Sequence, residues 1–130
     1  LYQTFGNKQR LFERCLGYYR DTFASRLAAR LAESTSGLEF LRELLMSVAA
    51  EADARGPRRG CLLINTATEF AGRDKRVAQE VNQGTRKMLD LFETAVRQAQ
   101  AAGEISAAED ARALAQFVMT TISGMRAMVK

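Results

Sequence analysis

Apolar side chains recur at intervals of three and four residues along most of the chain. The first stripe consists of Phe12, Cys15, Leu16, Tyr19, Phe23, Leu27 and Leu31. Because an α-helix has about 3.6 residues per turn, this spacing places the stripe on one helical face. The pattern predicts a long amphipathic helix whose apolar face, with the inert Cys15 thiol on it, packs into a core.

Two short segments of the form S-x-x-E predict further helix starts. They lie at residues 36–39 and 106–109, and each resembles a capping box, in which side-chain oxygens accept hydrogen bonds from free backbone N–H groups. The first of these helices should end before Pro57, because proline disfavours helical geometry in the residue before it. A further stripe from Val77 to Ala99 predicts a long helix that ends at Gly103.

Residues 61–66 form a short apolar run that suits a buried strand as well as a buried helix. We interpret the run as helical through residue 71, because the sequence offers no second strand to pair with it. A lone strand would leave its backbone groups without hydrogen-bond partners. The chain is therefore expected to be all-α, a bundle of about five helices.

The last predicted helix carries apolar side chains in nearly every direction. Such a helix is buried on more than one side, and in a chain of 130 residues the second side is most simply covered by a partner subunit. We therefore expect a homodimer that forms through this helix. A central helix surrounded by its own chain is the alternative. The expected interface residues are Leu114, Val118, Thr121, Ile122, Met125 and Val129.

The composition limits the chemistry available to the chain. It contains no histidine, the commonest metal ligand and the usual general base, so we expect no enzyme activity, no metal site and no cofactor. Its two cysteines lie far apart and form no C-x-x-C pair. No apolar run reaches about 18 residues, the length that spans a membrane. The first residues also lack the basic segment followed by an apolar segment that is typical of a secretory signal peptide. We therefore expect a cytoplasmic protein without a membrane partner.

The positive charge is concentrated at the N-terminal end. Residues 1–30 contain six basic and two acidic side chains, whereas the other hundred residues balance thirteen basic against thirteen acidic. A local excess of positive charge suits contact with a phosphate backbone. A solvated helix face is the alternative.

Three segments resemble parts of one protein family. Residues 1–12 match the pattern L-Y-x-x-F-x-x-K-x-x-L-F, residues 60–69 read G-C-L-L-I-N-x-A-x-E, and residues 103–105 read G-E-I. The first pattern resembles the junction between the DNA-binding head and the ligand-binding domain of tetracycline-repressor-like transcriptional regulators. The other two segments resemble parts of the same family more weakly.

This resemblance implies an all-α, two-fold symmetric repressor in which a bound effector shifts the spacing of two DNA-reading heads. Residues 1–6 would end the recognition helix, with the rest of the head absent, and residues 7–130 would form the ligand-binding and dimerisation domain. Gly6 would end one helix and Asn7 would cap the next, which makes a tight junction. Tyr2 and Lys8 match family positions that touch operator phosphates, and Gln3 lies at the same helix end.

An effector pocket is expected among the large apolar side chains. The candidates are Phe23, Leu45, Leu63, Ala67, Phe70, Met88, Phe92, Phe117 and Met119. Methionine and aromatic side chains accommodate varied apolar ligands, although ordinary core packing produces the same pattern. Asn65, Thr66 and Glu69 are candidates for polar contacts with a ligand, with surface exposure as the alternative.

The leading hypothesis is a ligand-responsive transcriptional repressor whose partners are a second copy, operator DNA and a small-molecule effector. A constitutive helical dimerisation module without a ligand is the alternative. Cys61 lies near a predicted helix start beside Arg58 and Arg59, where a reactive thiolate would be favoured. A thiol sensor of electrophiles or oxidants is therefore a further hypothesis, against the reading of Cys61 as a small buried hydrophobic residue.

Overall fold

The computed structural model describes residues 2–53 and 75–128, with the side chains from residue 8 onward in these ranges except that of Ala52. All regular secondary structure in these ranges is α-helical, and the prediction of an all-α fold is confirmed for them. The helix predicted at residues 61–71 lies outside the described residues. The bounds are α1, Tyr2–Glu33; α2, Gly37–Asp53; α3, Lys75–Ala101; and α4, Ala111–Met128.

Helix α3 is the central element, because each of the other described helices packs against it. Its buried stripe includes Met88, Phe92, Ala95 and Val96, and the side chain of Phe92 is 0% exposed. Burial of one such large apolar side chain stabilises a fold by about 1.5–3 kcal/mol. The other helices complete this main core with Leu27, Leu31, Phe40, Leu41, Leu44, Val48, Ala111, Ala115 and Ile122.

A second, smaller cluster joins the N-terminal half of α1 to the first turns of α3. It consists of Leu16, Val77 and Val81, with Phe12 packed against it. Cys15 is exposed, so the prediction that it lies on the core stripe is wrong. Consecutive residues of a helix are about 100° apart around its axis, and the burial of Leu16 turns its neighbour towards the solvent.

Helix α1 continues through Gly6 and Asn7 without interruption, so the predicted junction between two helices at Phe5–Lys8 is wrong. Glycine within a helix costs only about 1 kcal/mol relative to alanine. A break would leave four backbone N–H groups and four carbonyl groups without helical partners. The division of the chain at residue 6 into two functional parts stays a prediction.

Side-chain and glycine caps define the helix ends. The backbone N–H of Glu39 donates to Ser36 Oγ at 3.0 Å, which confirms the predicted cap of α2. Helix α3 ends at Ala101, two residues before the predicted Gly103, which caps the helix with a φ of 77°. There the N–H of Glu104 donates to the carbonyl of Ala99 at 2.9 Å, and the N–H of Gly103 to that of Gln100 at 3.1 Å. Only glycine adopts this left-handed conformation readily, so the cap is a Schellman motif.

The cap of α4 is Asp110, not the predicted Ser106. The N–H of Ala113 donates to Asp110 Oδ1 at 3.1 Å, whereas Ser106 Oγ accepts from the N–H of Ala108 at 3.2 Å in the preceding turn. A carboxylate suits the positive end of the helix dipole better than a hydroxyl. Gln100 holds the preceding turn in place by donating to the Ser106 carbonyl at 3.1 Å.

Gly37 marks the closest approach of α2 to α3. A Cβ atom built on this glycine would collide with the carbonyl oxygen of Ala95 and would lie 2.9 Å from Ala95 C and 3.1 Å from Ala99 N. All of these are backbone atoms, which cannot rotate away as a flexible side chain can. The absence of a side chain at residue 37 therefore sets the distance between the two helices.

Replacement of Gly37 by alanine should destabilise the fold by about 1–3 kcal/mol, because the added methyl group overpacks a backbone contact. Gly17→Ala is the matched control, since a Cβ there would meet only the side-chain atoms Glu80 Oε2 at 3.6 Å and Arg20 Nη2 at 3.7 Å, which is ordinary van der Waals contact. There the better helix propensity of alanine should stabilise the fold by about 0.5–1 kcal/mol. Urea unfolding followed by circular dichroism measures both changes, and an unchanged stability of Gly37→Ala would contradict the close approach.

Candidate functional site

An open groove of about 560 Å³ runs along α1. Its apolar and aromatic lining comes from Cys15, Tyr18, Tyr19 and Phe23, with Thr22 between them. The side chain of Tyr18 is 76% exposed. A contiguous apolar patch at a protein surface marks a binding site, whereas singly scattered apolar residues do not, so this groove is the candidate binding site of the described part.

Two aromatic rings connect the groove with the interior. The rings of Tyr19 and Phe23 are stacked, with centroids 5.7 Å apart and planes inclined by 7°. Both side chains also pack against the main core that contains Phe92. A ligand in the groove would therefore contact residues that touch the central helix α3.

Two guanidinium groups flank the groove. Arg14 and Arg26 both line it, both are exposed, and neither has an ion-pair partner among the described residues. A shallower depression of about 480 Å³ continues past Tyr18 and Arg26 towards Ala29. The acidic residue of this second depression is Asp21, whose carboxylate forms ion pairs with Lys87 and Arg20.

An ion-pair network, here called the α1–α3 clamp, joins the middle of α1 to α3. Lys87 Nζ donates to Asp21 Oδ1 at 2.7 Å, and Arg20 Nε donates to the same oxygen at 3.1 Å. Arg20 Nη1 also donates to a carboxylate oxygen of Glu80 and to Gln83 Oε1, the latter at 2.7 Å. The hydrogen bonds from Lys87 and then Arg20 lower the pKa of Asp21 below its ordinary value of 3.8.

The clamp lies beside the groove and on the same helix as the predicted DNA contacts. Lys8 is exposed near the start of the described side chains. Tyr2 and Gln3 lie within α1, but their side chains are outside the described residues. The assignment of these three residues as DNA contacts stays a prediction.

The predicted pocket residues do not all come together. Met88 and Phe92 are buried in the main core, and Phe23, Leu45 and Met119 pack against it. Phe23 also lines the groove, and it is the one pocket candidate among the described residues that does so. Phe117 lies on α4 and is 69% exposed, away from the core. The remaining candidates, Leu63, Ala67, Phe70, Asn65, Thr66, Glu69 and Cys61, lie outside the described residues.

The predicted interface residues of α4 mostly face their own subunit. Ile122 is buried in the main core, and Leu114, Val118 and Met125 pack against it. Thr121 is half-buried, and its hydroxyl donates to the carbonyl of Phe117 at 2.8 Å. Val129 lies outside the described residues.

The outward face of α4 carries a stripe that shares only Leu114 and Thr121 with the predicted interface. It consists of Leu114, Phe117, Thr121, Gly124 and Met128, which follow one another at alternating intervals of three and four residues. Phe117 and Met128 are 69% and 88% exposed. A regular alternation of three and four is the spacing by which one helix packs along another. We call this face the α4 stripe.

The charged residues of α4 pair within the chain. Arg112 Nη1 lies 2.6 Å from Asp90 Oδ1 and 3.5 Å from Glu93 Oε2, and Arg126 Nη2 lies 3.5 Å from Glu51 Oε2. The hydrogen bond to Asp90 raises the pKa of Arg112 above its ordinary value. These contacts hold one side of α4 against α2 and α3 and leave the α4 stripe outside.

Neither a metal centre nor a membrane span occurs in the described part of the chain. No three His, Cys, Asp or Glu side chains come close enough there to hold an ion. None of the helices described combines the length and the apolar content that crossing a bilayer requires.

Comparison with known proteins assigns the chain to a family. The tetracyclin repressor-like C-terminal domain matches residues 37–130, which is most of the chain. The chain therefore belongs to the tetracyclin repressor-like family, and the resemblance seen in its sequence is confirmed. This is a family of transcriptional regulators.

One relative is a repressor. The chain is similar to the HTH-type transcriptional repressor ComR of Escherichia coli (strain K12), with 29% identity over 126 residues. The aligned region covers 96% of this chain and 60% of that protein, so the chain spans less than two thirds of its relative. No solved structure matches the chain significantly.

The pH dependence of stability tests the α1–α3 clamp. Because the pKa of Asp21 is lowered in the folded state, its carboxylate stabilises the fold above the ordinary value of 3.8, and this contribution disappears as the pH falls through the lowered value. Asp21→Asn should therefore be less stable than the unchanged chain at neutral pH, and the difference should shrink below about pH 4.

The measurement is urea unfolding of both chains between about pH 2.5 and pH 7. Glu43→Gln is the control, because Glu43 is an exposed carboxylate of α2 without an ion pair among the described residues. Identical pH profiles for Asp21→Asn and the unchanged chain would show that the clamp does not stabilise the fold.

Proposed function

We propose that this chain is the effector-binding and dimerisation part of a ligand-responsive transcriptional repressor. Membership of the tetracyclin repressor-like family supports a regulatory role, and the likeness to a repressor supports repression. Operator DNA is then bound by another part of the whole protein, with Tyr2, Gln3 and Lys8 at the edge of the contact. The observation that supports assembly most directly is the exposed α4 stripe.

The α4 stripe fits a second copy of the same helix. Phe117 and Met128 expose large apolar surfaces to water in a single chain, which is unfavourable by about 25 cal/mol for each Å². Small residues at Thr121 and Gly124 let a facing helix approach closely between them. A two-fold axis beside α4 brings the same stripe from both copies together.

This proposal revises the roles of two groups of residues. Val118, Ile122 and Met125 support α4 from within its own subunit, whereas Leu114 and Thr121 lie at the interface. Phe117, which the sequence suggests as a pocket residue, becomes the main interface residue. The physical reason is the helix rotation: Phe117 and Val118 are about 100° apart, so only one of them faces the core.

Helix α1 is the route by which an effector changes DNA binding in this proposal. Its groove lies next to Phe23, which touches the main core, and its N-terminal turns carry the proposed DNA contacts. The clamp at Arg20 and Asp21 fixes α1 on α3, and α4 in turn packs on α3. In this proposal α1 takes two positions relative to α3, and the ligand binds one of them more tightly. Ligand binding therefore shifts α1 towards that position and changes the distance between the DNA-binding parts of the two subunits.

A constitutive dimerisation module is the second candidate function. The complete burial of Phe92 favours it, because a filled core leaves no room for a ligand beside this residue. In that case the groove on α1 stays empty in the cell and the α4 stripe alone has a function. The hypothesis of a thiol sensor at Cys61 is independent of both.

Replacement of Phe117 by glutamate should convert a dimer of this chain into a monomer, because two carboxylates would face each other across the two-fold axis. Met46→Glu is the control: Met46 is a similarly exposed apolar residue, but it lies on α2. Sedimentation velocity over a range of concentrations measures the oligomeric state. A monomeric unchanged chain, or a Phe117→Glu chain that remains dimeric, would refute dimerisation through the α4 stripe.

A further inference from the structure

We propose that the groove on α1 binds a flat, anionic small molecule, such as an aromatic carboxylate. The ring system of this ligand lies against the aromatic side chains of the groove, and its carboxylate pairs with Arg14 or Arg26. This inference rests on the proposed function only in naming the class of effector. The binding itself requires neither DNA nor a second copy of the chain.

The shape of the groove suits a planar ligand. Its volume of about 560 Å³ lies within the range of about 300–1,000 Å³ that small-molecule sites occupy. The nearly parallel rings of Tyr19 and Phe23, inclined by only 7°, present a broad aromatic surface. Tyr18 stands beside them with most of its ring in water. A flat ligand covers these rings with little loss of side-chain freedom, because aromatic side chains have few rotatable bonds.

The charges around the groove favour an anion. Arg14 and Arg26 are exposed and have no ion pair within the described part of the chain, so no carboxylate described there competes with a ligand for their guanidinium groups. The neighbouring carboxylate of Asp21 is bound by Lys87 and Arg20 and does not neutralise them. A guanidinium group binds a carboxylate through two parallel hydrogen bonds and also stacks on aromatic rings.

The separation of the two arginines limits how the ligand lies. Twelve residues separate Arg14 from Arg26, which corresponds to roughly 18 Å along the helix axis. A ligand with one carboxylate therefore reaches one of them at a time, with its rings over the aromatic residues between them. A ligand paired with Arg26 lies beside Phe23, which also touches the main core, whereas a ligand paired with Arg14 lies beside Tyr18.

Double-stranded DNA is the other anion that free arginines could bind. Phosphate contacts need cations and backbone N–H groups but no aromatic wall. The groove places Cys15, Tyr18 and Phe23 between its two arginines. Of these, only the Tyr18 hydroxyl suits a phosphate oxygen, whereas the rings of Tyr18 and Phe23 both suit a flat aromatic ligand. The composition of the groove thus favours a small aromatic anion over a duplex.

Isothermal titration of the chain with 2-naphthoate and 2-naphthamide tests the inference, because the two probes share a ring system and differ in charge. The carboxylate should bind, and the amide should bind at least severalfold more weakly. Arg14→Gln and Arg26→Gln should each weaken naphthoate binding by up to about fivefold, as expected for a partly solvated ion pair. Binding of the amide should not change in either variant.

Arg86→Gln is the matched control. It removes the same charge from an exposed arginine of α3 that has no ion pair among the described residues and does not line the groove. Naphthoate affinity should be unchanged in this variant. An equal loss in Arg86→Gln would mean that only the overall positive charge attracts the probe, which would overturn the inference.

Two further outcomes would overturn it. Equal affinities for naphthoate and naphthamide would show that the groove does not select charge, and displacement of naphthoate by a DNA duplex of arbitrary sequence would assign the arginines to phosphate contacts. Each result is independent of the oligomeric state. A failure of naphthoate binding therefore leaves the dimer proposal intact, and a monomeric chain leaves the groove proposal intact.

Discussion

The burial of one face of α3 is the interaction on which the rest of the structure depends. Helices in proteins owe most of their stability to the packing of their apolar faces, so α2 and α4 need a surface to pack on. Phe92 and Ala95 are completely buried at the centre of that surface. The contact between Gly37 and the backbone of Ala95 sets how closely α2 approaches, and the pairs of Arg112 fix one side of α4.

A consequence of this arrangement is that α1 is held in two separate places. Leu27 and Leu31 belong to the main core, whereas Leu16 belongs to a small cluster of its own with Val77 and Val81. The α1–α3 clamp lies between the two attachments. We therefore expect the N-terminal half of α1 to loosen or shift while the main core remains packed, which the proposed relay to DNA requires.

The periodic pattern of apolar residues predicted the fold well but the outward surfaces poorly. The stripes of α1 and α3 and the glycine that ends α3 follow from local rules of helix geometry and capping. The groove does not follow from the apolar stripe of α1, because the stripe indicates only the side of the helix that faces the core. Tyr18 and Thr22 lie opposite that side. Phe117 was assigned to the pocket because sequence alone does not show which side of an all-round apolar helix faces its own subunit. The cap at Asp110 depends on the turn that Gln100 holds in place, a tertiary contact.

Hydrogen exchange of the backbone amides in a Leu16→Ala chain tests most directly whether α1 is attached in two independent places. Leu16 is fully buried in the small cluster, and truncation of such a residue costs about 2–5 kcal/mol. Residues 12–18 of α1 should then exchange faster, with protection around Phe92 and Phe40 nearly unchanged. An equal loss of protection in all four described helices would show instead that α1 and the main core unfold as a single unit.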